Sequence, residues 1–414
     1  MSANNKAKVS PEKLFALLFD EGVYTELLPM ADAQNSMAET MAVCGKVAGQ
    51  NVYAFTQCDE NCGGAMSTLQ AHKLMKMYSM ALKTGYPVVG FYTGSAAKVS
   101  EGNMLLDALG DLLASSKRLS GVVPRISVVM GDCVASSAML ASGVDFVIMT
   151  EDSKLSLSVD CDCSGKGKAA LIAEDAGDAV EKVSQLLTYL PANNLSVAPM
   201  ADFADGDLFD ADSEMMLYEN SESAASVSFA RISGKAVGSV CVKGDVIDSK
   251  SAKKISSFVR FCDAFSLPVI TRVDAKEFCC LGSANSVLSV YAEATTVKIS
   301  VVDGTAVGTV YMALAGKAGR PDAVIGMDGA VVSPIKPEAA AYLALKDELS
   351  GTVAEQDKKI AEYISAELTV TNAAKQGFVD DVADSTTLRT KLINYLSILG
   401  SKRETSLPKK HSTI

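Results

Sequence analysis

The sequence predicts an α/β protein in which one domain plan occurs twice. Residues Ile126–Met139 read ISVVMGDCVASSAM and Ile299–Met312 read ISVVDGTAVGTVYM, so the two stretches align without a gap. Each is followed by a short hydrophobic strand, at Asp145–Met149 and at Asp322–Gly326. A repeat of this length indicates a duplicated domain rather than a solenoid unit. Duplication puts the same backbone turn into the chain twice, which suits a protein that acts on two substrates at once.

The composition agrees with this fold class and excludes several functions. Hydrophobic residues make up 48% of the 414 residues but aromatic residues only 6%, so the cores are built from Ala, Val, Leu, Ile and Met. A formal net charge of -11 without a basic cluster argues against nucleic-acid binding. The start, Met1–Ser10, is polar, and no stretch reaches the roughly 20 apolar residues of a membrane span. We therefore expect a cytoplasmic protein with reduced thiols.

The first half of the chain alternates strands with helices. Ser67 is the predicted N-cap of a helix in which Leu74, Met77 and Ala81 recur at helical spacing. The predicted strands are Asn51–Gln57, Pro87–Tyr92, Arg125–Met130 and Asp145–Met149, and the predicted helices are Ser67–Lys83, Asn103–Leu119, Ser136–Ser142 and Asp178–Tyr189. This alternation predicts a mostly parallel sheet with helical crossovers.

The second half repeats the order after a predicted hairpin that turns at Ser233–Lys235. Its predicted strands are Val227–Ile232, Ala236–Val242, Pro268–Val273, Val297–Val302 and Ala323–Met327. Its predicted helices are Lys250–Phe265, Ser286–Ala294 and Thr309–Ala315, followed by a terminal helical region at Glu338–Leu349, Ala354–Leu368 and Thr386–Leu399. The two halves therefore share one plan of strands and crossovers.

Each copy of the repeat has a glycine directly after its central strand, Gly131 and Gly304, with a helix predicted to begin a few residues later. The first N–H groups of a helix have no partner within the helix, and the positive end of the helix dipole lies there. Such donors suit a phosphate or an oxyanion and can stabilise an enolate without any particular side chain. The two turns are the predicted sites of chemistry.

Eight segments of the chain resemble the carboxyltransferase subunit of biotin-dependent acyl-CoA carboxylases and decarboxylases. In the order of that family they are Gly63–Ser67, Leu82–Pro87, Glu101–Gly102, Ser120–Ser127, Phe229–Lys235, Phe258–Phe265, Tyr291–Thr295 and Gly377–Val382. The resemblance covers about residues 15–400, and Phe258–Phe265 is its most specific segment. It implies a fold of two tandem crotonase-like domains that arose by internal duplication.

The resemblance also implies an activity. The N-terminal domain, expected at 1–205, would bind the acyl-CoA, and the C-terminal domain, expected at 206–400, would bind carboxybiotin, with a flexible tail at 401–414. The chain would move a carboxyl group between biotin on a separate carrier protein and the α carbon of an acyl-CoA, in the carboxylase or the decarboxylase direction. Implied partners are the biotin carboxyl carrier protein, and either a biotin carboxylase or a membrane decarboxylase-pump subunit. The family site forms between the N-domain of one subunit and the C-domain of another in a homodimer, usually assembled into a hexamer.

Site residues follow from the same resemblance. The oxyanion holes are assigned to the backbone amides of Ala135 and Ser136 for the thioester enolate, and of Thr309 and Val310 for the biotin ureido oxygen. Substrate binding is assigned to six further residues: Gly63, Gly64, Gly94, Ala97, Lys98 and Met312.

Both turns depart from the family pattern. The family has Ala-Gly-Gly-Ala where this chain has Val134–Ser137, and Gly-Gly-Ala-Tyr-Asp where it has Gly308–Met312. Met312 thus replaces the acidic residue that the family links to the choice of acyl substrate. Two alternatives stay open: a catalytically inactive structural subunit that keeps the fold, and a biotin-independent CoA-ester decarboxylase that uses one site.

Neither a metal nor a biotin group is expected on this chain. The cysteine pairs do not have the spacing of a zinc site: Cys58 with Cys62, Cys161 with Cys163, and Cys279 with Cys280. The two histidines, His72 and His411, are too few for a histidine-based triad with metal chemistry. Met75–Met77 matches the tripeptide around biotinyl-lysine, but Lys76 falls in the middle of a predicted helix rather than on a tight turn. We therefore expect the biotin on a separate protein.

Overall fold

The computed structural model describes residues 9–30, 40–57, 65–94, 98–158, 164–220 and 222–404. The chain separates into two compact units. The first comprises Met1–Pro199 with Tyr218–Asn220, and the second comprises Met200–Leu217 with Ser221–Ile414. No helix in the described ranges is long and apolar enough to cross a membrane.

The first unit is built on a seven-stranded sheet whose strands lie in the order β1-β2-β3-β4-β5-β7-β9. The strands are β1 Tyr24–Glu26, β2 Thr40–Val47, β3 Gln50–Gln57, β4 Val88–Tyr92, β5 Arg125–Val129, β6 Asp132–Val134, β7 Phe146–Thr150, β8 Lys154–Ser156 and β9 Leu171–Ala173. The helices are α1 Pro11–Leu18, α2 Thr68–Thr84, α3 Asn103–Arg118, α4 Ala135–Ser142 and α5 Ala176–Tyr189. Strands β1 to β3 pair antiparallel, and the sheet is parallel from β3 to β9. Strands β6 and β8 form a separate parallel pair.

The second unit has the corresponding sheet in the order β10-β11-β12-β13-β14-β15-β17, with β16 paired to β14. The strands are β10 Met215–Leu217, β11 Ala225–Ile232, β12 Lys235–Ile247, β13 Val269–Phe278, β14 Lys298–Val307, β15 Ala323–Met327, β16 Val331–Ser333 and β17 Asp381–Ala383. The helices are α6 Ser249–Ala264, α7 Leu281–Glu293, α8 Gly308–Leu314, α9 Pro337–Leu345, α10 Val353–Glu367, α11 Val370–Lys375 and α12 Leu388–Ile398. As in the first unit, antiparallel pairing gives way to parallel pairing at the third strand.

The register of the two sheets confirms the predicted duplication. In the first sheet Ile126 of β5 pairs with Phe146 of β7, and in the second Ile299 of β14 pairs with Ala323 of β15. Ile126 and Ile299 are the first residues of the gapless sequence repeat, so both copies begin at the same place in the sheet. The strands lie in two separate sheets rather than one continuous sheet.

A second, shorter ladder is repeated as well. Val134 of β6 pairs with Ser156 of β8, and Val307 at the end of β14 pairs with Ser333 of β16. Val134 and Val307 are equivalent positions of the repeat, and each directly precedes a helix. An equivalent pair of parallel strands therefore fixes the start of each helix: β6 with β8 before α4, and β14 with β16 before α8.

Aromatic rings cluster where helices approach the sheets. In the second unit the ring of Phe229 on β11 lies 5.2 Å from Phe258 and 6.0 Å from Phe261 on α6. A Cβ at Gly238 of the adjacent strand would lie only 2.6 Å from the Cys262 sulfur, so glycine allows α6 to approach the sheet this closely. The segment that carried the strongest family resemblance is thus a packing segment of the core.

A buried cation lies at the same position in both copies. Arg125 begins β5, and its guanidinium donates to the carbonyls of Ser116 (3.2 Å) and Gly143 (2.9 Å) and to the Asp145 carboxylate (3.1 Å). The other oxygen of Asp145 accepts the Arg125 N–H at 2.9 Å. Burial raises the pKa of Asp145, and the arginine opposes that effect. The cation therefore satisfies carbonyls near the ends of two helices together with a buried carboxylate.

Lys298, the repeat equivalent of Arg125, uses a different side chain for the same task. Its ammonium donates to the carbonyls of Tyr291 and Gly319. Its backbone N–H donates to the Asp322 carboxylate at 2.8 Å. Burial, reinforced by the charge of Lys402, lowers the pKa of Lys298 to about 8. Duplication has thus kept the position of the buried cation but not its chemical identity.

Most predicted elements are confirmed apart from their ends, and the structure adds elements that were not predicted, among them α1 and β2. Ser67 caps α2 by accepting the Gln70 N–H, as the sequence predicts. The predicted start of α7 at Ser286 is wrong, because the helix begins five residues earlier, at Leu281. In the first turn of α7 Leu281 is 83% exposed and the buried residue is the polar Ser283, so the turn lacks the apolar spacing that marks a buried helix face. The predicted ends of three strands of this unit are also wrong, because β12, β13 and β14 continue to Ile247, Phe278 and Val307.

We predict that Arg125→Met lowers the free energy of unfolding by about 3–5 kcal/mol, because it leaves the Asp145 carboxylate buried without its cation. Arg125→Lys, which copies the second unit, should lose clearly less. Urea unfolding measures both variants, with Lys358→Met as the control. Lys358 forms an exposed ion pair with Glu362, so the control should change by less than about 0.5 kcal/mol. Equal losses for Arg125→Met and Lys358→Met would contradict the role of the buried pair.

Candidate active site

The turn between β6 and α4 has two unusual features. Val134 is the N-cap of α4, and no side chain caps the helix there. Ala135, the first helical residue, has a φ of 53°, a left-handed conformation that is unfavourable for any residue with a Cβ. The N–H groups of Ala135 and Ser136 lie in the first turn, where a helix offers them no internal acceptor.

The turn between β14 and α8 repeats both features. Val307 is the N-cap, again without a capping side chain. Gly308, the repeat equivalent of Ala135, has a φ of 47°. The chain therefore enters both helices through one left-handed residue, glycine in the second copy and alanine in the first.

The absence of a side-chain cap at both turns, shared with α3, α7, α9 and α12, contrasts with α2, α5 and α6. Ser67, Asp175 and Asp248 cap α2, α5 and α6 with side-chain oxygens. Valine has no such oxygen and is among the poorest N-cap residues. At α4 and α8 no side-chain cap competes for the first N–H groups, and an oxyanion is the acceptor that such donors favour.

Glycine at the same repeat position, Gly131 shortly after β5 and Gly304 within β14, lets the chain lie against the neighbouring strand. A Cβ at Gly131 would lie 2.2 Å from the Thr93 carbonyl oxygen, and one at Gly304 would lie 2.4 Å from the Asp274 carboxylate. Both distances are shorter than any side chain tolerates. Asp274 also accepts the Thr305 N–H at 2.8 Å, which ties β13 to the second turn.

The loop after β4 lies beside the first turn and is held by Gln57 at the end of β3. The Gln57 side-chain oxygen accepts the N–H groups of Thr93 (3.2 Å) and Gly94 (3.3 Å), and its carbonyl accepts the Thr93 hydroxyl at 3.1 Å. Gly94 is buried in this arrangement. Sequence analysis missed Gln57, because its partners lie 36 and 37 residues away and no local pattern marks it.

Lys98 and Glu101 precede α3 in the sequence and form hydrogen bonds with residues at the start of α2. The Lys98 N–H donates to the Met66 carbonyl at 2.8 Å, and Glu101 accepts the Thr68 N–H at 2.7 Å. Burial opposes ionisation of Glu101, but hydrogen bonds from Thr68 and the charge of Lys98 lower its pKa overall. The carboxylate is thus a structural acceptor at a helix N-terminus, and the half-buried Lys98 is positioned by the same segment.

Two titratable groups beside the first turn, Cys133 and Tyr92, are unsuited to proton transfer at neutral pH. Burial raises the pKa of the Cys133 thiol to about 12 and holds the pKa of Tyr92 well above its usual value. Both groups therefore stay protonated. The chemistry that this turn offers is hydrogen bonding from the backbone.

The predicted site residues at the two turns differ in their exposure. Ala135 and Thr309 are exposed, Ser136 is half-buried, and the Val310 side chain is fully buried. Met312 lies one turn further along α8 with 54% of its surface exposed. The remaining predicted residues Gly63, Gly64 and Ala97 lie outside the described residues.

The first unit also has a cavity of about 620 Å³ at β9 and α5. Its charged lining consists of Glu151, Glu174, Asp178 and Glu219 with Lys182, and the ammonium of Lys182 pairs with Asp178. None of the predicted site residues lines it. Four carboxylates against one lysine make it a poor site for an anionic ligand.

Two remaining predictions concern a metal and Lys76. Among the residues with described positions, no group of three or more His, Cys, Asp or Glu side chains could hold a metal ion. Lys76 is exposed in the middle of α2, which is not the tight turn that presents a biotinyl-lysine. His72 lies exposed on the same helix, and His411 is outside the described residues.

The two units share one α/β plan, and each has a turn at which a helix begins without a side-chain cap. The model of the carboxyl transferase domain matches residues 12–159 and 223–414, and the chain belongs to this family. The predicted family, the fold of two tandem crotonase-like domains and the enzyme class of carboxyltransferase subunit are thereby confirmed.

Similar proteins are found among curated sequences and solved structures. The chain is 28% identical to the methylmalonyl-CoA decarboxylase subunit alpha of Veillonella parvula, over 99% of this chain and 93% of that protein. It is 28% identical to the methylmalonyl-CoA carboxyltransferase 12S subunit of Propionibacterium freudenreichii subsp. shermanii, over 89% and 82% of the two chains. The crystal structure of transcarboxylase 12S with methylmalonyl-coenzyme A and methylmalonic acid bound matches with a TM-score of 0.90 at 25% identity, over 98% and 92%.

The left-handed residue at each turn generates a stability prediction. Ala135→Gly should raise the free energy of unfolding by about 0.5–1 kcal/mol, because glycine adopts a positive φ without strain. Gly308→Ala should lower it by about 1–2 kcal/mol, since its Cβ would also lie 2.9 Å from the Pro334 carbonyl oxygen.

The matched control is Ala138→Gly in the same helix α4, where no positive φ has to be relieved and glycine should cost about 1 kcal/mol. Urea unfolding of the three variants gives the comparison. Destabilisation by Ala135→Gly as large as that by Ala138→Gly would show that the turn is not strained.

Proposed function

We propose that this chain moves a carboxyl group between biotin on a separate carrier protein and the α carbon of a short acyl-CoA. The observation that carries the proposal is the pair of uncapped helix N-termini, each entered through a left-handed residue at the same position of the repeat. Carboxyl transfer requires two sets of N–H donors that stabilise negative charge, one for each reacting partner. The relatives named for methylmalonyl-CoA chemistry support this choice of substrate class.

The first unit would act on the acyl-CoA. The N–H groups of Ala135 and Ser136 donate to the thioester oxygen as negative charge develops on it, which stabilises the enolate that gains or loses the carboxyl group. Because Cys133 and Tyr92 stay protonated, neither of these side chains competes as a base. Gly94 and Lys98, with Gly63, Gly64 and Ala97, are the residues we assign to binding of the CoA ester.

The second unit would act on the biotin ring. Bound biotin supplies or accepts the carboxyl group at its ureido nitrogen. The N–H groups of Thr309 and Val310 donate to an oxygen beside that nitrogen, and the absence of a side-chain cap leaves them free to do so. Met312, exposed on the same helix, presents a thioether where the family has an acid, and we assign it to the choice of acyl substrate.

The proposed assembly is a homodimer, extended to a hexamer, in the cytoplasm. The first unit of one subunit would face the second unit of another, as in the family resemblance. The transcarboxylase 12S structure is described as a hexamer assembly, which supports the proposal. The further partners are a biotin carboxyl carrier protein and either a biotin carboxylase or a membrane decarboxylase-pump subunit, and the direction of transfer depends on which of these is present.

We predict a stable dimer or larger assembly at micromolar concentration, because each proposed site needs residues from two copies. Light scattering with size-exclusion chromatography measures the mass. A 43.3 kDa monomer under these conditions would remove the proposed site.

The activity prediction uses the side chains that stand where the family has glycine. Ser136→Gly and Thr309→Gly should maintain or raise the kcat for decarboxylation of methylmalonyl-CoA with free biotin or a biotinylated carrier, because the variants keep both N–H groups and reduce crowding. A turn that misdirects one N–H loses about 2.7–4 kcal/mol of transition-state stabilisation, roughly 10²–10³ in kcat. Ser142→Gly, at the far end of α4, is the matched control and should leave kcat unchanged.

The two alternatives give different results in the same assay. An inactive structural subunit has one observation in its favour, the strained Ala135 where glycine would be relaxed. It predicts no CoA-ester binding and no turnover by the parent chain or the glycine variants while the assembly stays intact. A biotin-independent decarboxylase predicts turnover that does not respond to biotin or to Thr309→Gly.

A further inference from the structure

Two adjacent cysteines lie exposed at the junction of β13 and α7. Cys279 follows the last residue of β13 and donates its N–H to the Ile247 carbonyl at 3.0 Å. Cys280 is the N-cap of α7, a helix of 13 residues, in extended conformation. Both side chains face solvent.

Two serines complete a small cluster with these thiols. The Ser283 hydroxyl lies 3.2 Å from the Cys280 sulfur and 3.5 Å from the Cys279 sulfur. The Ser249 hydroxyl, at the start of α6, lies 3.5 Å from the Cys279 sulfur and 3.1 Å from the Ser283 hydroxyl. The start of α6 and the junction of β13 with α7 thus meet at the two sulfur atoms.

The cluster favours the thiolate of Cys280. Hydrogen bonds from the side chain and the N–H of Ser283, from Cys279 and from Ser249 lower the pKa of Cys280 to about 7. The helix N-terminus adds a favourable dipole for the negative charge. About half of the Cys280 side chains are therefore thiolates at neutral pH.

The other cysteines in the described ranges have the opposite environment. Cys133 and Cys262 are buried, and burial raises the pKa of both. Cys44 and Cys241 are half-buried, and burial raises their pKa as well. Reactivity toward oxidants requires a cysteine that is exposed and has a lowered pKa. Of these six cysteines, Cys280 alone has both properties.

We propose that Cys279 and Cys280 form an oxidation-sensitive dithiol that hydroperoxides convert to a disulfide between the two adjacent residues. This site is independent of the proposed carboxyl transfer. Its ligand class is a small hydroperoxide, such as hydrogen peroxide, that reaches an exposed thiolate without a binding pocket.

The chemistry runs in two balanced steps. The Cys280 thiolate attacks a peroxide oxygen, the O–O bond breaks, and the products are a sulfenic acid and an alkoxide or hydroxide that takes a proton from water. The Cys279 thiol then displaces the hydroxyl group, forming the S–S bond and water. Sulfur is oxidised and the peroxide is reduced.

Adjacency makes the product easy to reduce. Neighbouring Cα atoms lie about 3.8 Å apart, below the roughly 4.4–6.8 Å usual for a disulfide, so the bridge is strained. Strained and exposed disulfides are the labile ones. A mild dithiol should therefore restore the two thiols.

The first test measures alkylation of the full-length chain by iodoacetamide across pH, with each cysteine followed by peptide mass spectrometry. Cys280 should react with a midpoint near pH 7. Ser283→Ala should move that midpoint upward, whereas Ser289→Ala on the same helix should leave it unchanged. A midpoint near pH 8.5, that of an ordinary thiol, would overturn the proposal.

The second test treats the chain with hydrogen peroxide and adds dimedone to trap sulfenic acid. The parent should give a Cys279–Cys280 disulfide that dithiothreitol reverses, and Cys279→Ser should give dimedone-labelled Cys280. Cys280→Ser should give neither product. If peptide mapping finds no such disulfide in the parent, or finds dimedone on Cys279 of the Cys280→Ser variant instead, the proposed order is wrong.

Discussion

The exit from the central parallel strand is the constraint on which each half of the molecule depends. Gly131 shortly after β5 and its equivalent Gly304 within β14 let the chain lie against the neighbouring strand. The close contacts are Thr93 in one copy and Asp274 in the other. A short parallel ladder then carries the chain to a left-handed residue, and the helix begins without a cap. Since each step leaves little conformational choice, the first N–H groups of the helix are aimed by the fold rather than by side chains.

This arrangement separates function from side-chain identity. Backbone amides do not change when side chains do, so Ser136 and Thr309 can replace glycines without removing a donor. What the replacements change is the space in front of the donors and, at Ala135, the strain of the turn. The same tolerance appears in the core, where Arg125 and Lys298 satisfy equivalent carbonyls with different head groups.

Helices that depend on local signals were predicted well, and elements that depend on distant partners were not. Ser67 followed by apolar residues at helical spacing gave α2 within one residue of its start. Strands of three residues, such as β6 and β16, are too short for an alternating pattern, so pairing with β8 and β14 creates them. The first turn of α7 likewise buries a polar residue, Ser283, so no apolar spacing marks it.

The sequence by itself determined the duplication, the place of both turns and the family, because these are written in residues that recur at fixed spacing or match in order. Only the tertiary structure decided how each turn is held. Gln57 reaches Thr93 and Gly94 across 36 and 37 residues, and Ser249 reaches Cys279 and Ser283 across 30 and 34. Contacts of this kind are set by how strands and helices pack, and no local pattern of residues encodes them.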